Sequence, residues 1–243
     1  MATIDQLKLK NRLLAALPAA EFALVSKSLT PVELEFGETL HRHGDVIEQV
    51  YFVETGFISA LTVLLDGHPL EIGLIGAEGI AGFSVVLGGK TSYAETMCQT
   101  GGKAYRMPAA ALKEAFLAGP VLRDLILRYV LLFQVQVAQT AACNAHHDLE
   151  QRLARWLLSA HDRTNGEELS LTQDLIAVML GVRRATVSLA ASTLQRAGVI
   201  RYQHGKITIV DRIGLENSAC ECYEAVTSEY RRLFGPNAVV SVP

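Results

Sequence analysis

Between Leu171 and Ser188 the chain reads Leu-Thr-Gln-Asp-Leu-Ile-Ala-Val-Met-Leu-Gly-Val-Arg-Arg-Ala-Thr-Val-Ser. Two neighbouring arginines, Arg183 and Arg184, followed by the hydroxyls of Thr186 and Ser188, suit a nucleic-acid edge. A guanidinium forks onto two guanine acceptors, and small hydroxyls reach phosphates or base edges. That chemistry needs a short helix with exposed first turns. Thr172 is placed to cap a first helix whose Leu175, Ile176, Met179 and Leu180 share one face. Ala177 is small enough for a close helix crossing, and Gly181 ends the helix. In the second helix Val187, Ala190 and Leu194 point inward, leaving Arg183, Arg184, Thr186, Ser188 and Leu189 exposed. A helix, a glycine and a helix also describe many hairpins that never meet DNA. The continuation decides between them, because residues 199–210 alternate around His204-Gly205 and predict a β-hairpin. The whole reads as a winged helix-turn-helix, with Thr172, Gln173, Arg183, Arg184, Thr186, Ser188, Arg201 and Lys206 as its expected DNA-contacting set.

Charge follows the same division. From Gln151 to Ile213 nine cations (Arg152, Arg155, Arg163, Arg183, Arg184, Arg196, Arg201, Lys206 and Arg212) face five anions (Asp162, Glu167, Glu168, Asp174 and Asp211), while the whole chain carries a formal charge of -3. A basic module on an acidic body is the asymmetry of a nucleic-acid binder. With 243 residues, 50% of them hydrophobic, the chain can bury two moderate cores. No apolar run approaches the roughly 20 residues of a membrane span, and the N-terminus lacks signal-peptide order, so a cytoplasmic location is expected. Cys98, Cys143, Cys220 and Cys222 are scattered without a repeated Cys-x-x-Cys, which predicts four free thiols, no disulfide framework, no metal site and no cofactor. Nucleophile-elbow, phosphate-cradling and His-Glu-x-x-His motifs are absent, so no enzymatic activity is expected.

The elements that must carry the reading head come earlier. Short β-rich runs at 34–36, 48–53, 56–63, 69–75, 94–99 and 103–107, punctuated by glycines, predict a small antiparallel β-roll of jelly-roll type behind a helical lead-in at 5–29. From Pro120 the pattern becomes helical. Val121, Leu122, Leu125, Ile126, Tyr129, Leu132, Phe133, Gln136 and Val137 recur at helical spacing, and Leu127, Val130, Leu131 and Val135 add a second stripe, which predicts a helix packed on its own domain on one side and on a second copy on the other. The fold class is therefore α+β: a β-roll over 1–119, a dimerisation helix and hinge over 120–147, a winged helix-turn-helix over 148–217 and a C-terminal tail over 218–243.

These parts in this order resemble the Crp/Fnr superfamily of bacterial transcription regulators. The resemblance is carried by the Gly44-Asp45 turn, the run Tyr51-Phe-Val-Glu-Thr-Gly56, the segment from Glu150 to Leu158, and Leu171 to Leu194. It implies a homodimer on a two-fold symmetric operator in double-stranded DNA, with RNA polymerase as a further candidate partner. Arg184 falls where family members carry a base-contacting arginine, and Ala185 replaces a glutamate often found beside it. In nucleotide-binding relatives a Gly-Glu pair holds the ribose and an Arg-Ser pair grips the cyclic phosphate. Here the corresponding positions are Gly82, Phe83, Thr91 and Ser92, without carboxylate or arginine, so control by cyclic AMP is not expected and the effector is open. No cysteine precedes Cys98, which argues against an iron-sulfur cluster. His41 and His43, two apart on a strand, predict an exposed surface pair rather than haem ligands, and His146 and His147 predict solvated polar ends of a helix. Cys220 and Cys222, taken as one helical Cys-x-Cys, point their thiols apart and predict inert groups. The competing class is an effector-binding sensor whose winged helix makes protein contacts.

Overall fold

The computed structural model describes residues 4–164 and 168–236, so Glu167 of the charge count lies outside the described residues. Two compact units emerge, one from residues 1–60 and 75–133, the other from 61–74 and 134–243.

The first unit opens on two short helices, α1 (Arg12–Ala15) and α2 (Ala19–Val25), in place of one helical lead-in. Asn11 caps α1 by accepting from the Leu14 amide at 3.1 Å, and its Nδ2 donates to the carbonyls of Val53 (2.9 Å) and Gly79 (2.8 Å). A fully buried amide with its groups engaged in this way holds the lead-in against the strands instead of costing stability. Eight strands follow: β1 (Thr30–Leu34), β2 (Thr39–His41), β3 (Gln49–Thr55), β4 (Ile58–Val63), β5 (Pro69–Ile75), β6 (Ile80–Ala81), β7 (Glu95–Cys98) and β8 (Gly102–Pro108). They make two four-stranded sheets, ordered β1-β8-β3-β6 and β2-β7-β4-β5. Pairing is antiparallel where β8 meets β1 and β3, where β3 meets β6 and where β2 meets β7. The strand period of two sends Val50 and Phe52 inward from β3, and both are fully buried.

After α3 (Ala109–Ala118) comes α4 (Pro120–His146), a single helix of 27 residues. Of its expected inner stripe Leu122, Ile126, Tyr129, Leu132, Phe133 and Gln136 are buried, and Val121, Leu125 and Val137 are half-buried. The Phe83 ring meets Phe133 at 5.3 Å and Tyr129 edge-on at 5.9 Å, a favourable arrangement of aromatic quadrupoles. A side chain on Gly79 would run into the Tyr129 ring, so that glycine is required for the close approach. Of the second stripe, Leu127 and Leu131 are 45% and 41% exposed, while Val130 and Val135 are half-buried.

The second unit holds α5 (Leu149–His161), β9 (Glu168–Ser170), α6 (Gln173–Leu180), α7 (Arg184–Arg196), β10 (Ile200–Gln203), β11 (Lys206–Ile209), α8 (Arg212–Ser218) and α9 (Cys222–Phe234). Its core is built from Leu153, Trp156, Leu157, Ile176, Val187, Leu194 and Leu215. Trp156 is buried and donates its indole N–H to Glu71 Oε1 at 2.7 Å, which gives that buried carboxylate a partner on the part of β5 that belongs to this unit. Residues 222–234, left without an element by the sequence pattern, form α9, and its Tyr230 is buried. Among the described residues no single helix is long and apolar enough to cross a membrane.

Candidate nucleic-acid interface

The local signals around Gly181 act as their chemistry dictates. Thr172 is extended, and its hydroxyl accepts from the Leu175 amide at 3.2 Å, opening α6. Gly181 closes α6 in the left-handed region (φ 64°, ψ 40°), with its N–H returning to the carbonyls of Ala177 and Val178. The chain then turns through 104° into α7, within the range of helix-turn-helix crossings. Ile176, Ala177, Met179 and Leu180 of α6 and Val187, Ala190, Ala191 and Leu194 of α7 fill the crossing, while Leu175 is only half-buried. Arg183, Arg184, Thr186, Ser188 and Leu189 are exposed, as the spacing predicts.

The hairpin beside them has His204 (φ 50°) and Gly205 (φ 76°) as its two central residues, both in the left-handed region, which matches the right-handed twist of its strands. Beyond the predicted pair, β11 also takes β9 as a neighbour, so the wing is three-stranded in the order β10-β11-β9. Tyr202 ties the wing to α6 and α7: its hydroxyl donates to the Leu171 carbonyl at 3.0 Å, and its amide donates to Gln195 Oε1 at 2.7 Å. Thr172, Gln173, Arg184 and Tyr202 consequently line one shallow cleft between helix pair and wing.

Burial sorts the nine cations sharply. Arg155 and Arg163 are buried, and Arg152 and Arg212 half-buried. Arg212 belongs to a network that joins α5 to α8 and α9, with Asp162 at 2.7 Å, Tyr223 at 2.7 Å and Glu216 at 3.0 Å. The exposed cations are Arg183, Arg184, Arg196, Arg201 and Lys206, all on α7, its N-cap or the wing. The basic face is thus narrower than the count suggests and lies where the helix presents Thr186 and Ser188. Two of its members hold carboxylates: Lys206 is 2.7 Å from Glu168, and Arg184 is 3.7 Å from Asp174. Such exposed pairs are worth only about 0–1 kcal/mol, so phosphate can displace them.

Other expected positions fall differently. Phe83 is 5% exposed and built into the aromatic cluster under α4, while Gly82 precedes it in the left-handed region (φ 87°). The Ser92 hydroxyl donates to the Ala94 carbonyl at 2.6 Å, and Thr91 is exposed. His41 departs from the expected exposed pair: it is 7% exposed, with Nε2 donating to the Gln49 carbonyl (2.8 Å) and Nδ1 2.8 Å from the Thr96 hydroxyl. Burial holds this imidazole below its ordinary value. His147 also departs from a solvated helix end, since Nδ1 lies 3.4 Å from Cys222 Sγ and Nε2 3.2 Å from a Glu221 carboxylate oxygen. Cys220 and Cys222 do not share a helix. Cys220 sits in the turn after α8 and Cys222 begins α9, so the bend turns both thiols toward Cys143, whose Sγ is 3.5 Å from that of Cys220. The hydrogen bond with Cys220 and, against burial, the Arg155 guanidinium hold the Cys143 thiol below its ordinary range.

Comparison with known proteins agrees with this architecture. Residues 31–118 match the cyclic nucleotide-binding domain family and residues 151–218 the Crp-like helix-turn-helix domain family. The chain belongs to the Crp/Fnr superfamily. Among similar Crp/Fnr proteins, the transcriptional regulator LdrP of Thermus thermophilus is 28% identical over 210 residues, which cover 77% of this chain and 96% of the relative. The CRP-like cAMP-activated global transcriptional regulator of Mycobacterium tuberculosis is 23% identical over 217 residues, 86% of this chain and 96% of the relative. The solved structure of FixK2 from Bradyrhizobium japonicum shares the fold at a TM-score of 0.67 and 20% identity, covering 79% of this chain and 98% of that one.

Proposed function

We propose that this Crp/Fnr protein is a sequence-specific DNA-binding transcription regulator that reads a two-fold symmetric operator as a homodimer. The observation that carries the reading is that, of the nine cations between Gln151 and Ile213, the five exposed ones all lie on α7, its N-cap or the wing, beside a helix pair bent by 104°. Arg184, Thr186 and Ser188 are assigned to base edges and nearby phosphates, with Thr172, Gln173, Arg183, Arg201 and Lys206 on the backbone. The uncovered stripe of α4 at Leu127 and Leu131 supports the pairing of two copies. Cyclic AMP is not the assigned effector, because Phe83 stands in the core where nucleotide-binding relatives need a carboxylate. A regulator of this kind works beside the chromosome, in the cytoplasm, with RNA polymerase as the partner of an activating form.

Selection of bound duplexes from a random pool by the ligand-free protein tests the reading. A palindrome with half-sites about one helical turn apart is expected. In a titration of the winning duplex, Arg184→Ala should lose about 1–3 kcal/mol and relax preference at one base pair per half-site. Lys206→Ala should weaken all sequences alike and reduce the salt slope by about 1. Unchanged operator binding by Arg184→Ala would remove α7 from the interface, and failure to enrich any sequence would favour the protein-contact role.

A further inference from the structure

Four side chains separated by up to 79 positions meet where α4 ends. Cys143 occupies the last turn of α4, His147 follows that helix, Cys220 lies in the turn after α8, and Cys222 opens α9; all four belong to the second unit. One ligand atom from each, three Sγ and an imidazole nitrogen, lie within 4.8 Å of one another. The Cys143–Cys220 sulfurs are 3.5 Å apart and the Cys222 sulfur is 3.4 Å from His147 Nδ1. Around a tetrahedral zinc ion, with Zn–S about 2.3 Å and Zn–N about 2.0 Å, neighbouring ligand atoms stand about 3.4–3.8 Å apart. The cluster is already close to that figure.

We propose that Cys143, His147, Cys220 and Cys222 bind one divalent ion of the zinc class as a closed structural site. Three features beyond the four atoms support it. His147 turns Nδ1 to the sulfurs and is held from behind by Glu221 on Nε2 (3.2 Å), the carboxylate-histidine arrangement that orients metal ligands. Gln139 donates to the Cys222 sulfur at 3.2 Å, a second outer contact that favours the thiolate. The three cysteines are 0%, 4% and 1% exposed, which leaves no open coordination position of the kind a catalytic ion keeps. Binding releases the thiol protons to solvent and leaves a Cys3His centre with one net negative charge, and the guanidinium of Arg155 acts on Cys143 from nearby. A single disulfide between Cys143 and Cys220 would use two sulfurs and leave the Cys222–His147–Glu221 alignment without a purpose. The ion would fasten the end of α4 to the turn that launches α9, joining parts of the second unit that the chain connects only through the reading head.

The test uses the full-length protein purified without chelator. Metal analysis should find one zinc per chain, and exchange for cobalt(II) should give the strong visible bands of tetrahedral cobalt with thiolate charge transfer. In competition with a chromophoric chelator, Cys222→Ser and His147→Ala should bind at least about tenfold more weakly, while Cys98→Ser, buried in the first unit, should bind as the parent does. The cobalt spectrum of the parent stands even if a cysteine variant does not fold. Folded protein that takes up no stoichiometric metal overturns the proposal, as do an octahedral cobalt spectrum, iron with acid-labile sulfide, a Cys143–Cys220 disulfide in fresh protein, or parent-like affinity in Cys222→Ser. None of these readouts depends on DNA binding.

Discussion

His41 and His147 carry the same side chain into opposite surroundings. His41 is enclosed between β-strand groups that suit the neutral ring, and its proton affinity is lowered by burial, with the Gln49 carbonyl partly opposing. The unfolded chain therefore takes up this proton near 6.5, before the folded chain does. Stability from this group is present above that value and is lost as pH falls through the lower folded value. The melting temperature of the first unit should accordingly fall as pH drops below about 6.5, and His41→Gln should flatten that part of the profile. An equally steep drop in the variant would assign it to other groups. Spacing placed His41 and His43 on one side of a strand, but whether that side faces inward depends on the pairing of β2 with β7, which is non-local. The same limit hid the cysteine cluster, whose members converge only because the α8–α9 turn bends back on α4. Arg184 and Thr172 were legible because capping, helix facing and glycine turns are decided within a few residues.

At the scale of elements, the best-read pieces carry their own boundaries. β5 occupies the predicted residues 69–75, α6 runs from its Thr172 cap to its glycine, and the His204-Gly205 turn makes the hairpin. Harder to read were β6 and β9, of two and three residues, which exist only because a neighbouring strand edge accepts them. α9 went unread although Cys222, Val226, Tyr230 and Leu233 recur at helical spacing, with Thr227 and Ser228 off that stripe. Gly181 is the element boundary with the largest expected effect. Its left-handed φ disfavours any Cβ by about 1–2 kcal/mol, and that Cβ would also press on the Leu70 side chain at 2.7 Å. Gly181→Ala should lower the unfolding free energy of the second unit by about 1–2 kcal/mol, read by denaturant titration. A loss below a few tenths would mean that the turn relaxes without strain.

For the whole molecule, the decisive surface is the outer stripe of α4. Two copies joined there would cover leucines that one copy leaves to water, at about 25 cal/mol for each Å² removed. Leu127→Glu combined with Leu131→Glu should give a folded monomer by light scattering and lose operator affinity by at least about tenfold, because one reading head then engages one half-site. A variant that stays dimeric would place the interface elsewhere. The order of β-sheets, long helix and helix-turn-helix was legible because texture changes at Pro120 and again near Asp148, whereas the size of the basic face was not, since four of its nine cations turn inward or sideways. The pairing of Lys206 with Glu168 and of Arg184 with Asp174 also bears on how such a regulator finds one address among millions. Each of these two cations arrives with a carboxylate already standing in for phosphate, so at those positions random DNA must displace an internal rival. A correct half-site offers base edges that no side-chain carboxylate can imitate, and there the exchange is favourable. The result is a short stay on wrong sequence and a quicker search for the right one.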